Sequence, residues 1–228
     1  MVRSTQGKKN ICLTINSLAK GGAEKQCLLL AKALRSHHNV YLAVLNPTTQ
    51  DPYYRKVVDE EKIQVVFLSR NPIVRMVKLA QFLKRKKVEV VFSFLPVDTI
   101  MSAVCGWLAG VPYRFGGIRN SYLPKGKHMI LRAVNNHVLH YTIANNYAAY
   151  RSALAFGFKE NVMVIHNGIG IRPLISRQGR PTNETTIISV GRLVKQKDYE
   201  TALKSVARLK KMLPAEHTLR YRIVGYGE

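Results

Sequence analysis

The feature that most constrains this chain is a rhythm. Short, unbroken apolar runs alternate with longer segments whose apolar residues recur at helical spacing. The runs are Ile11-Cys12-Leu13-Thr14-Ile15, then 40–45, 63–68, 88–94, 113–118, 141–144 and 162–165. Between them helices are expected from Ala23 to Leu34, from Pro72 to about Lys86, and from Thr99 to Ala109, then around Gly126–Leu139 and over Tyr147–Phe156. A strand that is apolar throughout has no solvent face, so it belongs in a parallel sheet with helices on both sides. The expected fold class is α/β, a Rossmann-like doubly wound parallel sheet.

The rhythm lapses between Gly168 and Thr186, where proline, glycine and polar residues dominate, as in Ser176-Arg177-Gln178-Gly179-Arg180-Pro181. Such composition marks an interdomain linker. The expected division is an N-terminal Rossmann-like domain over 1–170, a linker over 171–185, and a second part over 186–228. The second part restarts the rhythm with a strand over 186–190, a helix from about Lys197 to Met212 stopped before Pro214, and a strand over Leu219–Val224. One βαβ unit buries too little surface to stand alone. It either packs on the first domain or begins a second, incomplete Rossmann-like domain.

Composition narrows the function. A 46% hydrophobic content supports a real core and excludes disorder. The net charge of +23 calls for an anionic partner: a phosphate-bearing substrate, an anionic membrane or a nucleic acid. No nucleic-acid-binding motif is present, and aromatics are not interleaved with the basic runs, so no nucleic acid is expected. Cys12, Cys27 and Cys105 are odd in number and sit in apolar contexts, which reads as reduced core residues of a cytoplasmic protein. No cysteine or histidine cluster has zinc spacing, so no metal site is expected. The segment before Ile11 is polar and basic, without the apolar core of a secretory signal. The apolar stretch from Val88 to Val111 is broken by Glu89, Pro96 and Asp98. It reads as a strand followed by a helix with Asp98 as its N-cap, rather than as a membrane span.

Three segments carry candidate chemistry. Asn16-Ser17-Leu18-Ala19-Lys20-Gly21-Gly22-Ala23-Glu24 follows the first strand and opens the first helix, where α/β sheets bind ligands. Its glycines permit a tight turn and close approach of an anion, yet the spacing fits neither the dinucleotide nor the Walker pattern. Ile187-Ile188-Ser189-Val190-Gly191-Arg192 leads to Lys197 at the expected mouth of a helix. Glycine, two cations and free helix N–H groups suit a diphosphate. Val164-Ile165-His166-Asn167-Gly168 ends a strand at the hinge, and the residues leave a plain turn and a ligand-facing position equally open.

Taken in order, Gly21-Gly22-Ala23-Glu24, His166-Asn167-Gly168-Ile169, Val190-Gly191-Arg192-Leu193 with Lys197, and Ile223-Val224-Gly225-Tyr226-Gly227-Glu228 resemble the family-4 retaining glycosyltransferases of GT-B fold. The resemblance covers essentially the whole chain. It implies an acceptor-binding first domain and a donor-binding second domain facing it across a cleft. It implies transfer of a sugar from a nucleotide-sugar to a saccharide or lipid-linked saccharide, as in polysaccharide or glycan biosynthesis, without metal or other cofactor. Donor binding would fall to Gly21, Gly22, Gly191, Arg192 and Lys197, the last two stabilising the leaving diphosphate. His166, Asn167 and Arg119 would line the cleft. Some members place a histidine where this chain reads Ile118-Arg119-Asn120-Ser121. The family's two glutamates, eight positions apart, would lie past the Gly-x-Gly signature. The chain is therefore expected to hold the acceptor domain and the first fragment of a donor domain.

Residues 72–87 form an amphipathic helix ending in Lys84-Arg85-Lys86-Lys87. Such a helix can rest on an anionic membrane, which would place the protein on the inner face of the cytoplasmic membrane. The competing reading is a non-catalytic basic module for anionic membranes or nucleic acid.

Overall fold

The first unit is built around β1 (Asn10–Ile15), in which every side chain from Ile11 to Ile15 is buried. In this computed structural model, which describes residues 7–119, 125–170 and 183–227, β1 pairs in parallel with β2 (Asn39–Val44) and, on its other side, with β4 (Val90–Ser93). β3 (Gln64–Phe67) extends the sheet past β2, while β5 (Tyr113–Ile118), β6 (Tyr141–Ala144) and β7 (Val162–Val164) extend it past β4. The order is β3-β2-β1-β4-β5-β6-β7, all parallel. This is the Rossmann-like doubly wound sheet that the unbroken apolar runs predict.

Six helices connect these strands: α1 (Gly22–Arg35), α2 (Pro52–Glu60), α3 (Pro72–Arg85), α4 (Pro96–Leu108), α5 (Lys125–His137) and α6 (Tyr147–Ala155). Strand alternation splits the core in two. Leu13 and Ile15 pack with Leu28, Ala31 and Val58 from α1 and α2. Cys12 faces the other way, with Leu79, Leu83 and Cys105 from α3 and α4. All three cysteines are buried and free. Burial pushes the Cys12 thiol up to about 12 and that of Cys105 up to about 11. These are packing groups, not nucleophiles.

One row of side chains crosses the sheet in register: Leu42, Leu13, Phe92, Phe115 and Tyr141. Leu42 and Leu13 are fully buried, whereas Tyr141 is 44% exposed. Helix α1 thus covers half of this face. The remainder holds a groove of about 340 Å³ lined by Leu30, Phe92, Phe115 and Ile143.

Three expectations change. Helix α2 is not visible in the apolar periodicity. It starts because Asp51 caps the Tyr53 and Tyr54 amides and Pro52 presets the first turn. Helix α4 begins at Pro96, with Leu95 as N-cap, so Asp98 is not the cap but a buried member of the first turn. The proline's fixed φ starts the helix earlier than the capping residue does. In the second part, Lys197 closes a 3-10 turn over Lys195–Lys197, and α7 (Tyr199–Met212) starts after it with Asp198 as N-cap.

The chain divides after Gly170 into two units. In the second, β8 (Glu184–Val190) pairs in parallel with β9 (Thr218–Val224), Val190 opposite Val224. β8 starts two positions before the expected residue 186, and most of the expected linker, 171–182, lies outside the described residues. No residue of α7 is buried. Among the described residues, no helix is long and apolar enough to cross a membrane.

Candidate functional site

The chain runs outward from β1 through β2 to β3, then returns to β4 on the opposite side of β1. The loops after β1 and β4 therefore diverge and leave a crevice at the carboxyl ends of these strands. In open α/β sheets that crevice is the binding position. Gly21 and Gly22 follow β1, and Asp98 follows β4.

Gly21 is the N-cap of α1 in extended conformation and offers no side chain to cap the helix. The Glu24 side chain folds back over it, so a Cβ at this position would overlap the carboxylate. In contrast, a Cβ on Gly22 would meet nothing within 4 Å, so open space lies in front of that residue. The Tyr54 hydroxyl donates to the Gly21 carbonyl at 2.9 Å and fixes the loop from below. Burial raises the Glu24 carboxyl above its usual range, and the charge of Arg119 partly opposes this.

Asp98 is fully buried. Neither of its carboxylate oxygens finds a hydrogen-bond partner of good geometry among the described residues. Burial drives its pKa well above the carboxylate range, and the backbone amides of Asn16 and Leu95 reduce that shift without reversing it. Burial thus favours the neutral form of Asp98, which follows β4 at the switch point.

Arg119 joins these pieces at the end of β5. Its guanidinium lies 5.1 Å from the centre of the Phe94 ring, and Nη1 donates to Asn167 Oδ1 at 2.9 Å. Burial lowers its pKa, while Cys27 and Glu24 raise it. Gln26 clamps the next residue: its Nε2 donates to the Gly168 carbonyl at 2.8 Å, and its Oε1 accepts from the Gly168 amide at 2.9 Å. The structure therefore brings together Gly21, Glu24, Arg119 and Asn167. His166 turns aside, its Nδ1 3.2 Å from the Asn145 carbonyl and its ring against Tyr147. Asn120 and Ser121 lie outside the described residues.

The sequence reading missed Gln26 and Tyr54, and it misassigned Asp98. A polar residue on the apolar side of α1 and an acid directly after a strand–proline turn were the available signals.

Gly191, Arg192 and Lys197 lie in the second unit. The strand ends there touch: Gly191 donates to the Val224 carbonyl at 3.0 Å, and Leu193 to that of Tyr226 at 2.8 Å. A Cβ on Gly225 would overlap the Gly191 carbonyl oxygen, which explains the glycine at that position of the Gly-x-Gly segment. Arg192 and Lys197 are exposed, and no carboxylate pairs with either among the described residues. The free helix mouth expected beside them is instead capped, because Asp198 accepts from the Thr201 amide at 3.3 Å. A groove of about 330 Å³ next to them is lined by Leu193, Val194, Lys195, Asp198, Tyr199 and Glu200, not by Arg192 or Lys197. Among the described residues no cluster of three metal-ligating side chains occurs.

No family model and no curated protein sequence matches the chain. Solved structures do. HepE from Anabaena in complex with UDP-glucose superposes with a TM-score of 0.75 at 15% identity, over 95% of this chain and 60% of that one. A glycosyltransferase from Rickettsia africae gives 0.68 at 18% identity, over 96% and 61%. The lipopolysaccharide outer core galactosyltransferase WaaB gives 0.63 at 13% identity, over 95% and 68%. As far as this chain extends, its fold is the GT-B fold. The chain spans about three fifths of the length of HepE and of the Rickettsia enzyme. Within the GT-B fold, the crevice beside Gly21 belongs to the first unit, and the Gly191 segment belongs to the second.

Proposed function

We propose that this chain contributes the acceptor side and the diphosphate-binding start of the donor side of a nucleotide-sugar glycosyltransferase. Its acceptor is a saccharide or a lipid-linked saccharide in polysaccharide or glycan biosynthesis. The observation that carries the reading is the fold, shared over 95% of this chain with a structure holding UDP-glucose. The local chemistry fits. When a glycosidic bond to a diphosphate breaks, negative charge builds on the leaving group, and fixed cations there lower the barrier. Arg192 and Lys197 are exposed, and among the described residues no carboxylate pairs with either, which suits both to this role. They supply the countercharge without a metal ion. The acceptor occupies the crevice before Gly22, where Arg119 offers a cation whose direction Phe94 and Asn167 fix.

The enzyme works at the cytoplasmic face of a membrane, which it meets through residues 72–87. Ile73, Val74 and Val77 of α3 are exposed there.

Calorimetric titration with UDP and UDP-glucose tests the donor assignment. Losing one charged hydrogen bond weakens binding roughly tenfold to a hundredfold. Arg192→Ala and Lys197→Ala are each expected to do so, and EDTA is expected to leave binding unchanged. Equal affinity in parent and variants would refute the assignment.

A further inference from the structure

The outer edge of the sheet carries a second concavity, well away from the switch-point crevice. β3 is an edge strand, paired only with β2. Between its open side and α3 runs a groove of about 690 Å³, lined by Val66, Phe67, Leu68, Phe82, Lys78, Gln81, Lys84 and Arg85. Val66 and Phe67 of the strand and Leu68 just after it line it, although successive side chains point to opposite faces. The groove therefore follows the strand edge and not one face of the sheet.

Its walls are of two kinds. Val66, Leu68 and Phe82 are apolar. Lys78, Lys84 and Arg85 are exposed cations, and among the described residues none of them has a carboxylate within ion-pair distance. The same helix face continues toward the start of α3. Residues 73, 77 and 84, and residues 74, 78, 81 and 85, recur at three-, four- and seven-residue spacing and share one side. That side begins with exposed Ile73, Val74 and Val77 and ends with the three cations. An amphiphile with an anionic head matches both halves. A soluble acidic peptide would use the cations and leave the apolar turns bare.

We propose that this groove seats the headgroup of an anionic phospholipid. Its phosphate sits among Lys78, Lys84 and Arg85, and the first carbons of its tails rest on half-buried Val66, over a floor formed by the buried Leu68 and Phe82. The proposal rests on the reading of α3 as the membrane-facing helix. It replaces diffuse attraction with a defined, saturable site.

The test is co-sedimentation of the full chain with phosphatidylcholine vesicles, with and without phosphatidylglycerol. Each cation near such a surface contributes about a fivefold change in affinity. Lys78→Gln with Lys84→Gln and Arg85→Gln is expected to weaken binding to the anionic vesicles by about a hundredfold. Arg208→Gln with Lys210→Gln and Lys211→Gln removes the same charge from α7, and is expected to weaken it far less. Equal losses in the two triple variants would overturn the proposal in favour of general surface charge. Displacement of vesicles by millimolar inorganic phosphate or glycerol phosphate would overturn it in favour of a free-phosphate site. Groove-dependent binding of polyglutamate without vesicle binding would overturn it in favour of a protein-binding strand edge. UDP titration of the groove variant keeps the two readings apart. Unchanged UDP affinity with lost vesicle binding supports the headgroup site independently of the donor assignment, and retained vesicle binding in this variant would overturn the headgroup site whatever its UDP affinity.

Discussion

A carboxyl group buried without a partner is costly in its charged form and cheap in its neutral one. Asp98 is buried, and among the described residues neither of its carboxylate oxygens has a partner of good geometry. Its folded-state pKa lies well above the usual 3.8. Between those two values the folded state holds a proton that the unfolded state has lost, so stability from this group falls as pH rises. Asp98→Asn keeps the shape and removes the charge. The variant is expected to match the parent near pH 4 and to melt at higher temperature than the parent at about pH 7. Parallel thermal denaturation across this range checks it, and a difference independent of pH would refute it. A chain that keeps such a residue at the switch point of its sheet forgoes stability there, as binding sites commonly do.

The strand ends of the second unit show how one glycine shapes an element. Gly225 lets β9 pass against the Gly191 carbonyl, where any Cβ would collide with rigid backbone. Gly225→Ala is expected to part the ends of β8 and β9 and to cost about 1–3 kcal/mol locally. Hydrogen exchange should then quicken at the amides of Gly191 and Leu193, which donate across this junction. Unchanged exchange would contradict the account. Most of the sheet was legible in the sequence, because strands such as β1 are buried on both faces and leave no polar interruption. Helix α2 was not legible, because its start depends on Asp51 and Pro52 and it buries only Tyr54 and Val58. The start of α4 was misplaced because proline and aspartate compete as start signals, and proline prevailed. In the candidate site, Gly21 and Gly22 were named from their place after the first strand, and Arg119 from the family resemblance alone. The Gln26 clamp on Gly168 spans 142 positions, and no local pattern encodes a contact of that range.

Across the whole molecule, 36 basic residues face 13 acidic ones. Most cations must therefore lack an acidic partner, and their mutual repulsion opposes the compact state. Added salt screens repulsion between exposed charges over distances beyond about 10 Å. Raising sodium chloride from low to physiological strength is expected to raise the melting temperature, by roughly 3 °C for each kcal/mol of repulsion removed. A melting temperature that falls with salt would mean that favourable surface pairs outweigh the repulsion.

The exposed α7 carries one more consequence. A helix with no buried residue is held to its strands by little apolar contact, and the second unit should open far more often than the first. A nucleotide that binds only its closed form would act as a folding agent. The binding heat would then include the enthalpy of ordering a βαβ unit, and the heat-capacity change would exceed what burial of a small polar molecule supplies. The measured affinity would be the intrinsic one reduced by the closed fraction. For this chain, nucleotide affinity and the firmness of the second unit's fold would be a single quantity read in two ways.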